Sequence, residues 1–198
     1  MTSFFALVLA IQSPNEPELR SAFEKSMTSP DPVARVAAVR RLAGCHEEET
    51  ITALARALKD SEKDVRKAAA ETLASCKDEG GAATQALAAT LNSKEEKVDI
   101  RLAAAKALEK CLYRGAALEA FIKCICSITN FDRDLHQFGA DVVDYLNRYS
   151  REDFGKSKQT PMLWEWWWED YKEKYKKEDQ ERRNAYQAWK ERKALRKP

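Results

Sequence analysis

A short helical motif recurs along this chain at a nearly constant spacing. Its clearest copy is Val65-Arg66-x-x-Ala69-x-x-x-Leu73, and equivalent residues occur upstream and downstream. The aligned basic positions are Arg35, Arg66, Arg101 and His136. Successive copies lie 31, 35 and 35 residues apart. A fixed period of this length is typical of a solenoid, in which each repeat buries its apolar side against the next.

The segments before the motif copies predict a second series of helices. Residues 48–58 place Ile51, Leu54, Ala55 and Leu58 at the i, i+3, i+4, i+7 spacing of an amphipathic helix. Turn-forming residues separate these segments from the motif copies, as at Pro30-Asp31-Pro32. Charged residues make up 33% of the chain and balance to a net charge of +2, which favours a folded, helical protein. We therefore expect four helical hairpins over residues 15–150.

The motif Asp60-x-x-x-x-Val65-Arg66-x-x-Ala69-Ala70-x-x-Leu73 resembles the HEAT repeat, in the short form found in bacterial and phycobilin-lyase-type repeat proteins. The C-terminal Asp153-Phe-Gly155, followed by Trp164, Trp167 and Trp168, is similar to the ending of many bacterial HEAT-repeat proteins. The resemblance implies an all-α, right-handed α-α superhelix of about four hairpins with a long C-terminal capping helix. It also implies an armadillo-like binding scaffold.

The chain divides into three segments: an apolar segment at 1–14, the repeat solenoid at 15–150, and a Trp-rich capping helix with a charged extension at 151–198. The run Phe4–Ile11 predicts either a cap on the first repeat or the apolar part of a short signal peptide. No Lys or Arg precedes Arg20, which favours the cap, and with it a cytoplasmic over an exported protein. No apolar run approaches the roughly 18 residues of a membrane span.

The C-terminal helix carries an aromatic stripe at one-face spacing: Trp164, Trp167, Trp168, Tyr171 and Tyr175. We expect this stripe to cover the last hairpin at Phe138, Val142, Tyr145 and Leu146, since the end of a solenoid needs a cap. Trp166 lies off the stripe and is expected to be exposed. The basic tail that follows has three interpretations. It is a charged helix that is solvated or packs on the protein itself, a contact with a protein partner, or a contact with nucleic acid.

The arginine column predicts a ladder of ion pairs between neighbouring repeats. The alternative is a basic inner strip, reinforced by nearby lysines and arginines, that holds phosphate or an acidic peptide. With the exposed aromatic and basic residues of the tail, this gives one set of candidate partner-binding residues: Arg40, Arg41, Lys67, Lys106, Trp166, Trp189, Arg192 and Lys193.

Cys45, Cys76 and Cys111 each follow the motif leucine by three residues and so occupy equivalent positions. Neighbouring helices pack about 8–10 Å apart, beyond the roughly 7 Å that a disulfide spans. We therefore expect small, unbridged core residues. The Cys and His spacings match no zinc signature, and the chain lacks a phosphate loop, nucleophile elbow or His-Glu-x-x-His motif. The sequence predicts no metal, cofactor or catalytic residue.

The combined interpretation is a non-catalytic protein-interaction scaffold. A nucleic-acid-binding HEAT-like protein that uses the inner Arg and Lys residues with the basic tail is the first alternative. A lyase- or glycosylase-like HEAT enzyme is the second, and it depends on the resemblance alone. The partner is expected to be another protein, and the chain itself is expected to have no integral membrane span.

Overall fold

The computed structural model describes residues 15–128, 136–152 and 160–195, without the side chains of His136, Thr160 and Lys193. The described residues form helices and no strand. Four hairpins run α1 (Glu16–Ser26) with α2 (Pro32–Arg40), α3 (Glu48–Arg56) with α4 (Lys63–Leu73), α5 (Ala82–Asn92) with α6 (Val98–Leu108), and α7 (Arg114–Ser127) with α8 (His136–Ser150). The last helix is α9 (Thr160–Leu195). A 3₁₀ turn, Ala57–Lys59, follows α3.

Local signals in the sequence begin several of these helices. The Asn15 side chain accepts a hydrogen bond from the Glu18 amide at 2.9 Å, and Asp31 accepts one from Val33 at 2.9 Å. Asp78 accepts from the amide and hydroxyl of Thr84 near the start of α5. Such caps satisfy amides that have no partner within the helix.

The hairpins stack in two layers. The first-helix layer contains α1, α3, α5, α7 and α9, and the second-helix layer contains α2, α4, α6 and α8. Motif alanines at the repeat interfaces are buried, and Ala69 and Ala104 have no exposed surface. Their small side chains let helices approach closely, while the motif leucines fill the space between repeats. The motif leucines Leu42, Leu73 and Leu108 are at most 3% exposed. The predicted all-α solenoid with a long C-terminal helix is confirmed.

The aromatic stripe is buried in part against α7. Trp164 is completely buried, and Trp168 and Tyr175 are each 7% exposed, whereas Tyr171 is 43% exposed. The predicted packing surface was α8, but α9 packs chiefly on α7, the other helix of the last hairpin. The α8 residues Phe138, Val142 and Leu146 are nevertheless buried. Because α7 belongs to the first-helix layer, α9 extends that layer as its fifth member.

The predicted 1–14 segment lies outside the described residues, so neither interpretation of it is tested. The Asp153-Phe-Gly155 sequence lies outside them too. No helix within the described ranges is both long and apolar enough to cross a membrane.

Candidate partner-binding surface

The arginine column lies inside the solenoid rather than on its surface. Arg35 donates two hydrogen bonds of 2.9 Å to the carboxylate of Asp60 in the next repeat. Arg66 makes the same bidentate contact with Glu96, at 2.6 and 2.9 Å. The hydrogen bonds from Arg66 hold the pKa of Glu96 below its usual value. The predicted ladder therefore exists for these two arginines.

The third arginine departs from the prediction. Arg101 is 4% exposed, donates to the Leu91 carbonyl at 2.8 Å and lies 4.3 Å above the Phe138 ring. It also contacts the thiol of Cys124 at 3.5 Å. Among the described residues, the partners of Arg101 are a backbone carbonyl, an aromatic ring and a thiol, and none of them is a carboxylate. All three arginines are thus held by internal contacts.

A first groove lies on the second-helix layer, and we call it the second-helix groove. It has a volume of about 370 Å³ and is lined by Lys67, Glu71, Asp99, Leu102, Lys106 and Tyr145, among others. Lys67 donates to Asp99 at 3.0 Å, which raises the pKa of Lys67 and lowers that of Asp99. The structure therefore brings the predicted Lys67 and Lys106 together, with acidic neighbours that offset their charge.

A second, larger groove lies where α9 passes the loops between repeats, and we call it the tail groove. It measures about 760 Å³ and is lined by His46, Glu48, Glu79, Tyr186, Trp189 and Lys190, among others. The Trp189 ring stacks on Tyr186 with centroids 5.8 Å apart and is 44% exposed. Lys190 forms an ion pair with Glu48, and the hydrogen bond between them raises the pKa of Lys190.

Further contacts hold α9 across these loops. Asp179 is 6% exposed and accepts a hydrogen bond from the Ala116 amide at 2.9 Å, so α9 caps the start of α7. The Arg183 guanidinium lies 5.3 Å from the Tyr113 ring centre. Tyr113 in turn donates to the carbonyl of Glu79, a wall residue of the tail groove. The groove is therefore built jointly by the solenoid and the tail.

The remaining candidates are not brought together. Arg40 and Arg41 are exposed at the end of α2, and neither lines either groove. Trp166 is 60% exposed, as expected. Arg192 is exposed and donates to the Ala188 carbonyl within α9. Lys193 lies in α9, but its side chain lies outside the described residues.

Sequence reasoning missed most of the tail groove. Glu48 and Glu79 are far from α9 in the chain, and no local pattern links them to Lys190. A signal did exist for the second-helix groove, since Asp99, Leu102 and Lys106 follow one face of α6 at helical spacing. No group of three or more His, Cys, Asp or Glu side chains in the described ranges is placed to hold a metal ion.

A family model described as HEAT repeats matches residues 16–109. The match supports a HEAT-repeat protein. Its range covers the first three hairpins and ends before α7, so the last hairpin and α9 lie outside it. HEAT repeats generally mediate protein interactions and serve as scaffolds. No curated protein matches the chain.

Proposed function

We propose that this protein is a non-catalytic interaction scaffold and that its partner, another protein, binds in the tail groove. The observation that carries the proposal is the Tyr186–Trp189 stack beside a groove of about 760 Å³. Trp and Tyr are enriched among the residues that dominate binding energy at protein interfaces, because each offers a large, rigid apolar surface with a polar edge.

The charges around the stack indicate what kind of partner suits it. Glu47, Glu48, Glu49 and Glu79 line the groove together with Arg20, Lys77 and Lys190. Glu48 is already paired with Lys190, and Arg20 lies 3.7 Å from Glu47. The rim is thus polar and of mixed sign, like the rim of a protein interface around an apolar centre. A partner segment with an apolar side chain for Trp189 and polar flanks fits this arrangement.

The internal arginines favour a protein partner over nucleic acid. A phosphate-binding strip needs cations with free donors, but Arg35 and Arg66 are bound to carboxylates and Arg101 is buried. The non-catalytic role is supported by two ion pairs that hold basic groups at the tail groove, Arg20 with Glu47 and Lys190 with Glu48.

We further propose that the chain is of the bacterial HEAT type. Support comes from its closing sequence, Asp153-Phe-Gly155 followed by the Trp164, Trp167 and Trp168 cluster. The burial of Trp164 and Trp168 against α7 gives this ending a capping role within the fold.

The proposal can be tested by affinity capture from the native host with three forms of the full chain. The unmodified protein should retain a partner, and Trp189→Ala should lose most of it. Trp166→Ala is the matched control, because it removes an exposed tryptophan from the same helix outside the groove. Retention by Trp189→Ala together with loss by Trp166→Ala would place the contact elsewhere on α9. A complex that weakens steeply with salt and contains nucleic acid would favour the alternative function.

A further inference from the structure

Two cysteines of adjacent repeats lie in direct contact at the edge formed by the loops between repeats. The Cys45 and Cys76 sulfur atoms are 2.9 Å apart. The backbones approach closely as well, since the Lys77 amide donates to the Cys45 carbonyl at 3.0 Å. A disulfide bond measures about 2.05 Å, so the sulfurs need to move by less than about 1 Å to bond.

For Cys45 and Cys76, this contact contradicts the expectation that the repeat cysteines are too far apart to bridge. That expectation used the spacing between helix axes. Cys45 lies beyond the end of α2 at Arg40, and Cys76 lies beyond the end of α4 at Leu73. In the loops the two chain segments are joined by hydrogen bonds, including one from the Gly44 amide to the Ser75 hydroxyl at 3.1 Å. Loop segments can approach far more closely than packed helices.

The two thiols have different surroundings. Cys45 is 5% exposed and donates its S–H to the sulfur of Cys76. This hydrogen bond lowers the pKa of Cys76 against the effect of burial, with further help from the backbone amides of Cys45 and Gly44. The same contact and burial raise the pKa of Cys45. Because the thiolate is the nucleophile in disulfide exchange, Cys76 is the thiol prepared to attack.

Cys76 is also the more accessible of the two. It is half-buried and lines a cavity of about 240 Å³ with Lys77, Lys110 and Leu112, among others. Asp78 and Glu79 line the same cavity and offset the charge of the two lysines, so the small disulfide need not carry a particular charge. Cys45 does not line this cavity, so a reagent in it reaches Cys76 first.

We propose that Cys45 and Cys76 form a reversible disulfide, with a low-molecular-weight disulfide as the oxidant. The Cys76 thiolate attacks one sulfur of the reagent, whose S–S bond breaks and releases one thiolate. That thiolate takes the proton of Cys45. The Cys45 thiolate then attacks Cys76 in the mixed disulfide and displaces the second reagent thiolate, which solvent protonates. Two protein thiols are oxidised, and one small disulfide is reduced to two thiols.

The bond would join the first two hairpins at the edge that also forms the tail groove. Gly44, His46 and Lys77, next to the two cysteines, line that groove. The disulfide would close a loop of about 30 residues and so restrict the unfolded chain. The proposal concerns a modification site and does not depend on the proposed binding function.

The direct test uses the unmodified full chain, reduced and then incubated with glutathione disulfide under native conditions. After alkylation and trypsin digestion, peptides 42–56 and 68–77 should appear as one disulfide-linked species that a reductant separates. The melting temperature of the oxidised protein should rise by several degrees. Full alkylation of all five cysteines, or a link from Cys76 to Cys111, would overturn the proposal.

Single variants then separate the roles of the two thiols. Cys45→Ser should accumulate a stable mixed disulfide with glutathione at Cys76, whereas Cys76→Ser should leave Cys45 largely unmodified. Cys111→Ser is the control and should still form the Cys45–Cys76 bond. Equal rates of mixed-disulfide formation in the first two variants would refute Cys76 as the attacking thiol.

Discussion

The two halves of α9 form one continuous helix but contact the rest of the protein in different ways. In the first half, Trp164, Trp168, Tyr175 and Asp179 are all buried. In the second half, residues 180–195 include no buried side chain among those described. That half contacts the loops between repeats through groups such as Arg183 and Lys190, in one cation–π contact and one ion pair.

This difference separates the part of α9 that stabilises the fold from the part that forms a surface. Buried aromatic area contributes several kcal/mol, whereas exposed ion pairs contribute about 1 kcal/mol or less. The helix is thus a cap as far as Asp179 and one wall of the tail groove beyond it. Four substitutions or deletions test this division, and their expected effects on stability decrease in order.

The largest effect should come from the buried half. Trp168→Ala should lower the free energy of unfolding by about 3–5 kcal/mol, because it leaves a cavity between α9 and α7. Trp166→Ala, two residues away and 60% exposed, should change it by no more than about 0.5 kcal/mol. Denaturant unfolding of both variants measures the difference. Equal losses would show that the buried face is assigned wrongly.

The close approach of α7 and α9 gives the second test. A Cβ added at Gly115 would lie 2.7 Å from an Asp179 carboxylate oxygen and 3.0 Å from the Tyr175 backbone. Backbone atoms cannot rotate away, so Gly115→Ala should cost about 1–3 kcal/mol.

Gly139→Ala is the matched control, since among the described residues its Cβ would meet only the Ile128 side chain, at 3.3 and 3.9 Å. That side chain is flexible, and alanine is favoured over glycine in a helix by up to about 1 kcal/mol. We therefore expect a neutral or stabilising effect in α8. A destabilised Gly139→Ala and an unaffected Gly115→Ala would reverse the assigned packing of α7 against α9.

The arginine column shows how much of the packing could be predicted from the sequence. The period placed Arg35, Arg66 and Arg101 at equivalent sites, and all three are buried or half-buried there. It also predicted carboxylate partners, which Arg35 and Arg66 have. It could not predict Cys124 and Phe138 beside Arg101, because those residues come from the next hairpin, where the repeat is degenerate. Periodicity fixes positions, while partners depend on neighbouring side chains.

The cysteines and the tail groove show two other limits. The equivalence of Cys45 and Cys76 was visible in the sequence, but their contact depends on loop geometry that helix spacing does not describe. The tail groove joins Glu48 to Lys190, which are 142 residues apart. Such a pairing depends on the path of α9 over the solenoid. Nothing in the local sequence of either segment encodes that path.

Removing the cap that Asp179 of α9 provides for α7 should reduce stability less than the substitutions above. Asp179→Ala should lower the free energy of unfolding by about 1–2 kcal/mol, because the Ala116 amide loses its acceptor in a partly buried site. Asp179→Asn retains an oxygen acceptor and should lose less. Hydrogen exchange at the Ala116 amide should become faster in Asp179→Ala and change little in Asp179→Asn. Equal exchange in all three proteins would show that the cap contributes nothing.

The smallest effect on stability should come from removing the second half. Deletion of residues 182–198 takes away the partly exposed Lys190–Glu48 ion pair and one cation–π contact, from Arg183 to the buried Tyr113 ring, so the loss should be about 1 kcal/mol. The same deletion removes Tyr186 and Trp189 and should abolish capture of the partner. An intact melting transition with lost binding would confirm that α9 changes role after Asp179. A loss of several kcal/mol would instead show that residues 182–198 belong to the core of the fold. Reduced binding by the truncated chain would then say nothing about the tail groove.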